Sequence, residues 1–263
     1  MELNLLEVLY RELSEHPAQL TVFGLIEEYY DAEGKMEYAN PRSPEKGYYN
    51  TKQQTRKQFL KLEQNTLYGY PWNKIYQTKY LQELKLEFED YRKTKFIEDI
   101  LFNIQYSMEI DSLLLLDITP YHYAKRSNGS LTNEYVPEYY KFHRRRIETL
   151  WNQQKYWEQD LDEAKSVLGA LYARYILSAM TRNYDKKAGV NFKKRGSFCK
   201  KVFKDELFRE LVPFSKATDS KTLEIALKIL NTRNVLLNLI FSWMIYVVQT
   251  KLPMFYSKVK AQR

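Results

Sequence analysis

The sequence predicts a mostly α-helical protein, a multi-helix bundle with one long central helix and room for a small β-hairpin near residues 25–39. Apolar residues recur three or four positions apart along most of the chain, which is typical of amphipathic helices. The 263 residues include only 8 glycines and 8 prolines, which argues against a turn-rich all-β protein. An apolar content of 44% excludes wholesale disorder.

The first 118 residues are expected to form an acidic-to-neutral helical lobe. Residues 2–15 and 51–68 have helical spacing. The segment from Trp72 to about Leu116 continues that spacing without a glycine or proline, as one long helix or two stacked ones. Leu20–Tyr30 is ambiguous, since it fits a helix or the first arm of a hairpin that turns at residues 31–34.

Residues 119–136 are predicted to be a linker loop, because Pro120 and the run Asn128-Gly129-Ser130 interrupt the pattern. Residues 137–263 should hold the long helix and a basic helical lobe. The long helix is expected from about Pro137 to Met180, where one face repeats every seven residues, with Tyr140, Ile147, Gln154, Leu161, Leu168 and Tyr175. A bundle helix is favoured there over a coiled-coil dimer.

The remaining C-terminal elements follow from the same spacing. Residues 184–200 are predicted to be a basic loop, and residues 201–211 a short helix. A last helix is expected from about Asp219 to Gln249, with Thr218 or Asp219 as its cap.

Charge is unevenly distributed along the chain, whose formal net charge is +8. The first 50 residues contain 4 basic and 10 acidic residues, whereas the last 113 contain 21 basic and 10 acidic ones. The basic C-terminal half of the chain indicates a polyanionic partner. It is explained equally well as a charged surface that keeps the protein in solution.

The densest basic segment places eight cations within 19 residues, interleaved with Phe192, Phe198 and Phe203. Lys and Arg neutralise phosphates and aromatic rings stack on unpaired bases, so the leading hypothesis is a non-enzymatic nucleic-acid-binding module within a larger assembly. The phenylalanines fit equally well as core anchors of a short helix. The predicted contacts are Lys186, Lys187, Lys193, Lys194, Arg195, Lys200, Lys201 and Lys204, supported by Arg144, Arg145 and Arg146.

Three other functions stay open. The uncharged segment Asn234–Thr250 is just long enough to be a membrane anchor, or it is a buried core helix. The basic half would also suit a structural or adaptor subunit that docks an acidic protein, and a homo-oligomer is plausible. Arg11 and His16 have an Arg-x4-His spacing that resembles the motif of HEPN ribonucleases, which implies that Arg11 holds a phosphate and His16 acts in acid–base catalysis.

Several chemistries have no motif in the sequence. There is neither a P-loop nor a Gly-x-Gly-x-x-Gly motif, and the three histidines are isolated, so we expect no cofactor, no metal site and no assigned catalytic residue. The single cysteine, Cys199, rules out an internal disulfide and is expected to be a small core residue. The acidic N-terminus lacks the features of a signal peptide, which predicts a cytoplasmic protein.

Overall fold

The computed structural model describes residues 1–31, 33–126, 136–217 and 220–252. The chain divides into two compact units, Met1–Glu134 (unit 1) and Tyr135–Arg263 (unit 2). The segment 127–135, which holds part of the predicted linker, lies outside the described residues, as does the candidate cap Thr218 or Asp219.

Unit 1 is built on a mixed five-stranded sheet, which corrects the prediction of a multi-helix bundle. The strands are Leu20–Tyr30 (β1), Met36–Arg42 (β2), Gly47–Tyr49 (β3), Lys74–Tyr76 (β4) and Leu113–Arg126 (β5). Their order is β2-β1-β5-β3, and β4 also pairs with β1. Only the β1–β5 pair is parallel. The predicted linker 119–136 therefore begins inside a strand.

The parallel pair is the centre of unit 1. Leu20–Phe23 lie opposite Leu113–Leu116, and this leucine run is buried, as expected for a strand covered on both faces. The register shifts between Phe23 and Leu25. Gly24 occupies the shift, and a side chain there would collide with the backbone of Arg42 and Ile118.

Leu20–Tyr30 was predicted to be a helix or the first arm of a hairpin, and the structure shows that it is the hairpin strand β1. β1 and β2 form an antiparallel hairpin whose register runs from Leu25–Arg42 to Tyr30–Met36. Asp31 organises the turn, since its Oδ1 accepts hydrogen bonds from the backbone N–H groups of Glu33 and Lys35. Gly34 takes the left-handed conformation that this turn requires.

Helices pack on the sheet. They are Leu5–Glu15 (α1), Lys52–Gln64 (α2), Thr78–Leu84 (α3), Tyr91–Thr94 (α4) and Glu98–Ser107 (α5), with a 3-10 turn at Lys95–Ile97. Leu5 and Leu9 of α1 bury against Phe23, Leu114 and Leu116. The prediction of continuous helix from Trp72 to Leu116 is wrong, because β4, three short helices and the start of β5 lie there.

Unit 2 is helical. Its helices are Tyr139–Tyr156 (α6), Leu161–Arg182 (α7), Phe192–Lys204 (α8), Glu206–Leu211 (α9), Lys221–Asn231 (α10) and Val235–Lys251 (α11), with 3-10 turns at Lys186–Ala188 and Val212–Phe214. α7 is central and contacts α6, α9, α10 and α11. Its Tyr172, Ala173 and Ile176 are fully buried.

Three predictions for unit 2 are corrected. The long helix is two helices, because the chain turns at Glu158 and Asp160 then caps α7 by accepting from the N–H groups of Asp162 and Glu163. The predicted basic loop 184–200 is mostly α8. The predicted helix from Asp219 to Gln249 is α10 and α11, which are separated at Arg233 and Asn234.

Candidate functional site

Five of the predicted cations share one exposed face of α8, which we call the lysine face: Lys193, Lys194, Lys200, Lys201 and Lys204. At about 100° per residue they fall within a sector of about 120°. The opposite face buries Cys199, Val202 and Phe203, whereas Phe192, one of the three phenylalanines of the core-anchor alternative, is 66% exposed. Lys186 and Lys187 are exposed in the neighbouring 3-10 turn.

The arginines of the predicted site do not join the lysine face. The Arg195 guanidinium lies 4.2 Å from the centre of the Tyr184 ring, and its Nε donates to the Asn183 carbonyl. Arg144 is paired within unit 2, with Nε 2.6 Å from Asp205 Oδ2 and Nη1 2.9 Å from Glu148 Oε2. This hydrogen bond to Asp205 raises the pKa of Arg144.

The other two arginines of α6 lie in different environments. Arg146 sits 5.6 Å from the ring centre of Tyr175, and Arg145 is exposed. Consecutive residues point in different directions around a helix, so these three arginines form no common surface.

The other predicted features have ordinary surroundings. Arg11 pairs with Glu12 at 3.7 Å, and the His16 ring stacks on Tyr48 with centres 4.9 Å apart. The segment Asn234–Thr250 forms most of α11. Throughout the four described stretches, none of the helices is long and apolar enough to cross a bilayer.

Sequence reasoning missed a pair of carboxylates in unit 1. Glu98 and Asp99 open α5, where both are half-buried. They are the only charged residues between Phe96 and Met108. That isolation in an apolar segment was the available signal, because a carboxylate doublet inside a core-facing stretch must be desolvated when the segment folds.

Burial perturbs both acids. Burial raises the pKa of Glu98, and the negative charge of Asp99 adds to that effect. Burial also raises the pKa of Asp99, against the opposing influence of the Lys74 ammonium. Among the described residues, Glu98 Oε2 is buried without a hydrogen-bond partner. Half-buried carboxyl groups with raised pKa values mark candidate acid–base centres.

Lys74 supports this region from inside. It is only 5% exposed, and its Nζ donates to the carbonyls of Leu67 (2.7 Å) and Tyr70 (2.5 Å) and to Asn73 Oδ1 (2.8 Å). Burial lowers the pKa of Lys74, and the carboxylates of Glu63 and Asp99 oppose that shift. Three acceptors require three N–H hydrogens, so this geometry fits the ammonium form.

Asn103 links the carboxylates to the segment 67–73, which we call the braced loop. Its Nδ2 donates to the carbonyl of Gly69 at 3.2 Å and to that of Asp99 at 3.0 Å. Its Oδ1 accepts from the Tyr76 hydroxyl at 2.6 Å. Because both carbonyls bond one nitrogen atom, the braced loop and the first turn of α5 lie side by side.

The braced loop carries two rings of an aromatic column, which consists of Tyr70, Trp72, Tyr121 and Tyr123. Tyr70 stacks on Trp72 with ring centres 4.7 Å apart. Trp72 stacks in turn on Tyr121 at 4.3 Å and on Tyr123 at 5.5 Å. Tyr121 and Tyr123 project on the same side of β5 because alternate residues of a strand share a face.

Comparison with known proteins gives likenesses in three dimensions. No family model matches the chain, and no curated protein sequence does. The solved structure of residues 1–349 of S. aureus TarS in complex with UDP-GlcNAc matches with a TM-score of 0.48 and 15% identity, over 91% of this chain and 62% of that one. This chain thus spans less than two thirds of the TarS chain.

The positions of the predicted side chains correct the functional hypothesis. The predicted cations divide between the lysine face and separate arginine contacts. The nucleic-acid-binding module is therefore wrong, and so are its alternatives, namely the membrane anchor at Asn234–Thr250, the adaptor for an acidic protein or homo-oligomer, and the ribonuclease. The lysine face has no assigned ligand.

Proposed function

We propose that unit 1 carries the acid–base centre of a glycosyl-transfer reaction in which a nucleotide sugar is the donor. The Glu98–Asp99 pair takes the proton from a hydroxyl group of the acceptor. The observation that carries this proposal is the half-buried pair itself, whose pKa values are raised by burial and whose Glu98 Oε2 has no partner among the described residues.

The chemistry suits a carboxylate pair. As the acceptor oxygen attacks the anomeric carbon, its proton passes to the pair and the bond from that carbon to the phosphate oxygen breaks. The nucleoside diphosphate leaves with the bonding electrons. Carboxylates are the usual proton carriers in reactions at an anomeric carbon. A raised pKa brings a carboxylate closer to neutral pH, where a general base is most effective.

The environment favours proton transfer in two further ways. Lys74 places a positive charge beside Asp99, which stabilises the ionised form needed in a base. Asn103 joins the first turn of α5 to the braced loop, and Lys74 holds the loop itself, so the backbone that carries the acids is fixed before a substrate binds.

The test is release of nucleoside diphosphate by the full chain, starting with UDP-GlcNAc, the ligand of the TarS structure, and a panel of sugar acceptors. Glu98→Gln and Asp99→Asn should each lower kcat by about 10²- to 10⁴-fold, the usual contribution of a general base. Because a single proton is transferred, the double variant should lose little more than the more strongly affected single variant.

Asp117→Asn is the matched control, since Asp117 is an exposed aspartate of β5. It should keep the activity of the unchanged chain. Turnover that survives in both Glu98→Gln and Asp99→Asn would contradict the proposal. So would the absence of acceptor-dependent turnover across the donor and acceptor panel.

A further inference from the structure

Unit 2 has an open cleft on the exposed side of α8, which we call the α8 cleft. Its volume is about 510 Å³, and its lining residues are Ser197, Lys200, Lys201, Lys204 and Asp205. The serine and the three lysines occupy positions i, i+3, i+4 and i+7 of α8, so their side chains share one face of the helix. Three ammonium groups and a hydroxyl group therefore border the cleft.

The three lysines of the α8 cleft carry charge that no neighbour balances. Throughout the described stretches of the chain, none of them forms an ion pair, and α8 itself contains no acidic residue. Other exposed lysines of unit 2 are paired, since Lys141 lies 3.2 Å from Glu138 and Lys228 lies 2.6 Å from Glu224. Like charges three or four positions apart on a helix repel each other, and an anion in the cleft would relieve that repulsion.

Asp205, the acidic residue that lines the cleft, has its charge neutralised by Arg144. Its Oδ2 accepts from Arg144 Nε at 2.6 Å and from the Tyr140 hydroxyl at 3.2 Å. Its Oδ1 accepts from Arg144 Nη2 at 3.2 Å and from the backbone N–H of Leu207 at 3.0 Å. Both oxygens are thus occupied, so the carboxylate balances the guanidinium and leaves the positive charge of the lysines uncompensated.

The helix beneath the cleft is held in place before any ligand binds. Its opposite face buries Cys199 and Val202 completely and Phe203 almost completely. The Phe203 carbonyl also accepts from Arg209 Nε at 3.3 Å, which ties the end of α8 to α9. Only the lysine side chains must be ordered when a ligand binds, which keeps the entropy cost of binding low.

We infer that the α8 cleft binds the diphosphate group of a small molecule. Two linked phosphates carry roughly three negative charges near neutral pH, which match the three lysines. The Ser197 hydroxyl can donate to a phosphate oxygen. The volume of the cleft lies in the range of small-molecule sites, so an organic group attached to the diphosphate also fits.

A compact ligand suits this site better than a polymer does. A polyanionic chain is held by a long row of cations, but the Arg144 guanidinium is paired with Asp205 and that of Arg195 lies over the Tyr184 ring. The α8 cleft belongs to unit 2 alone, so its ligand does not depend on the acid–base centre proposed for unit 1.

The test is isothermal titration calorimetry of the full chain at about 0.15 M salt, where long-range attraction is screened, without added divalent metal. The ligands are inorganic diphosphate, inorganic phosphate, ADP and a short oligouridylate. Inorganic diphosphate should bind with a Kd below about 1 mM, and inorganic phosphate about tenfold more weakly, because it reaches fewer lysines. Tighter binding of ADP than of diphosphate would support an organic diphosphate as the ligand, and the reverse order would support the free anion.

Two double variants show whether the binding occurs in the α8 cleft. Lys200→Gln with Lys204→Gln should weaken diphosphate binding at least about tenfold, since two charge-assisted hydrogen bonds are lost. Lys141→Gln with Lys228→Gln is the matched control, because it removes the same charge from side chains that are 72% and 73% exposed elsewhere in unit 2. This control should keep the affinity of the unchanged chain.

Four results would overturn the diphosphate site. Diphosphate gives no heat of binding, or phosphate binds as tightly as diphosphate does. The two double variants bind diphosphate equally well, which would indicate general attraction to a basic protein. The oligouridylate binds while diphosphate does not, which would indicate a surface for a polymer.

Discussion

Replacing Lys74 by methionine tests whether the buried ammonium holds the braced loop. Methionine has a similar length and no donor, so the substitution removes three hydrogen bonds with little change in volume. Leu67 O keeps a partner, because Asn73 Nδ2 also donates to it at 3.1 Å. Tyr70 O and Asn73 Oδ1 each lose the donor that Lys74 supplies.

The expected loss follows from those two acceptors. Each buried polar atom left without a partner costs about 1–3 kcal/mol, and the bond to Tyr70 O is only partly buried, so water can replace it there. Removal of a desolvated ammonium returns some free energy, whereas Asp99 and Glu63 lose a nearby positive charge. We therefore expect Lys74→Met to lower the free energy of unfolding by roughly 2–4 kcal/mol.

Urea denaturation followed by circular dichroism measures this change as a shift in midpoint at constant slope. Lys79→Met is the matched control, because the Lys79 side chain is 84% exposed on α3 and its pairing with Glu83 spans 3.9 Å. It should change the free energy of unfolding by less than about 0.5 kcal/mol. Equal stability of Lys74→Met and Lys79→Met would show that the Lys74 ammonium does not hold the braced loop.

Two further predictions concern titratable groups. Burial raises the pKa of the Cys199 thiol to about 11, so a thiol reagent at pH 8 should leave the folded chain unmodified and react with it fully in urea. A rapid reaction of the folded chain would contradict the buried position. Burial also raises the pKa of Asp99 above its ordinary 3.8, so the ionised carboxylate destabilises the fold above the raised pKa and has no such effect below about pH 3.8. Asp99→Asn should therefore gain stability relative to the unchanged chain at pH 7 and lose that advantage at pH 3.5, as judged by urea midpoints; an advantage that persists at pH 3.5 would contradict this sign.

Sequence periodicity located many helical residues but not the breaks between helices. Glycine and proline are the usual signs of a break, and the hairpin turn at Gly34 obeys that rule. The missed breaks occur at Lys85, Glu158 and Arg233, which adopt positive φ angles of 48°, 53° and 53°. Charged residues seldom take this conformation, so no local signal in the sequence predicted it.

The N-cap residues indicate the helix boundaries better than the residues at the breaks do. Asp160 opens α7, and Asn234 opens α11 by accepting from the N–H of Leu237. Both are residue types that favour the N-cap position. A search for caps inside the apparently continuous helices would have divided them at these points.

The sheet was harder to predict than the helices. Strand β5 of the parallel pair begins with Leu113–Leu116. This continuous apolar run fits a helix or a buried strand equally well. Its partner, β1, precedes it by about 90 residues, and the contacts that select the strand are tertiary. The candidate site depends on the same long-range pairing, because Tyr121 and Tyr123 of β5 meet Trp72 only after the sheet has formed.

The polar groups of the braced loop indicate a role beyond stability. An ammonium that is buried among carbonyls must give up its hydration, and apolar residues of similar volume often stabilise a protein as well or better. Yet Lys74, Asn73 and Asn103 all bind this one loop from inside. The two acids beside the loop are likewise half-buried at a cost in free energy, as their raised pKa values show. Costly polar groups that converge on a surface loop are expected where the loop must keep one conformation for function, as the proposed acid–base centre requires.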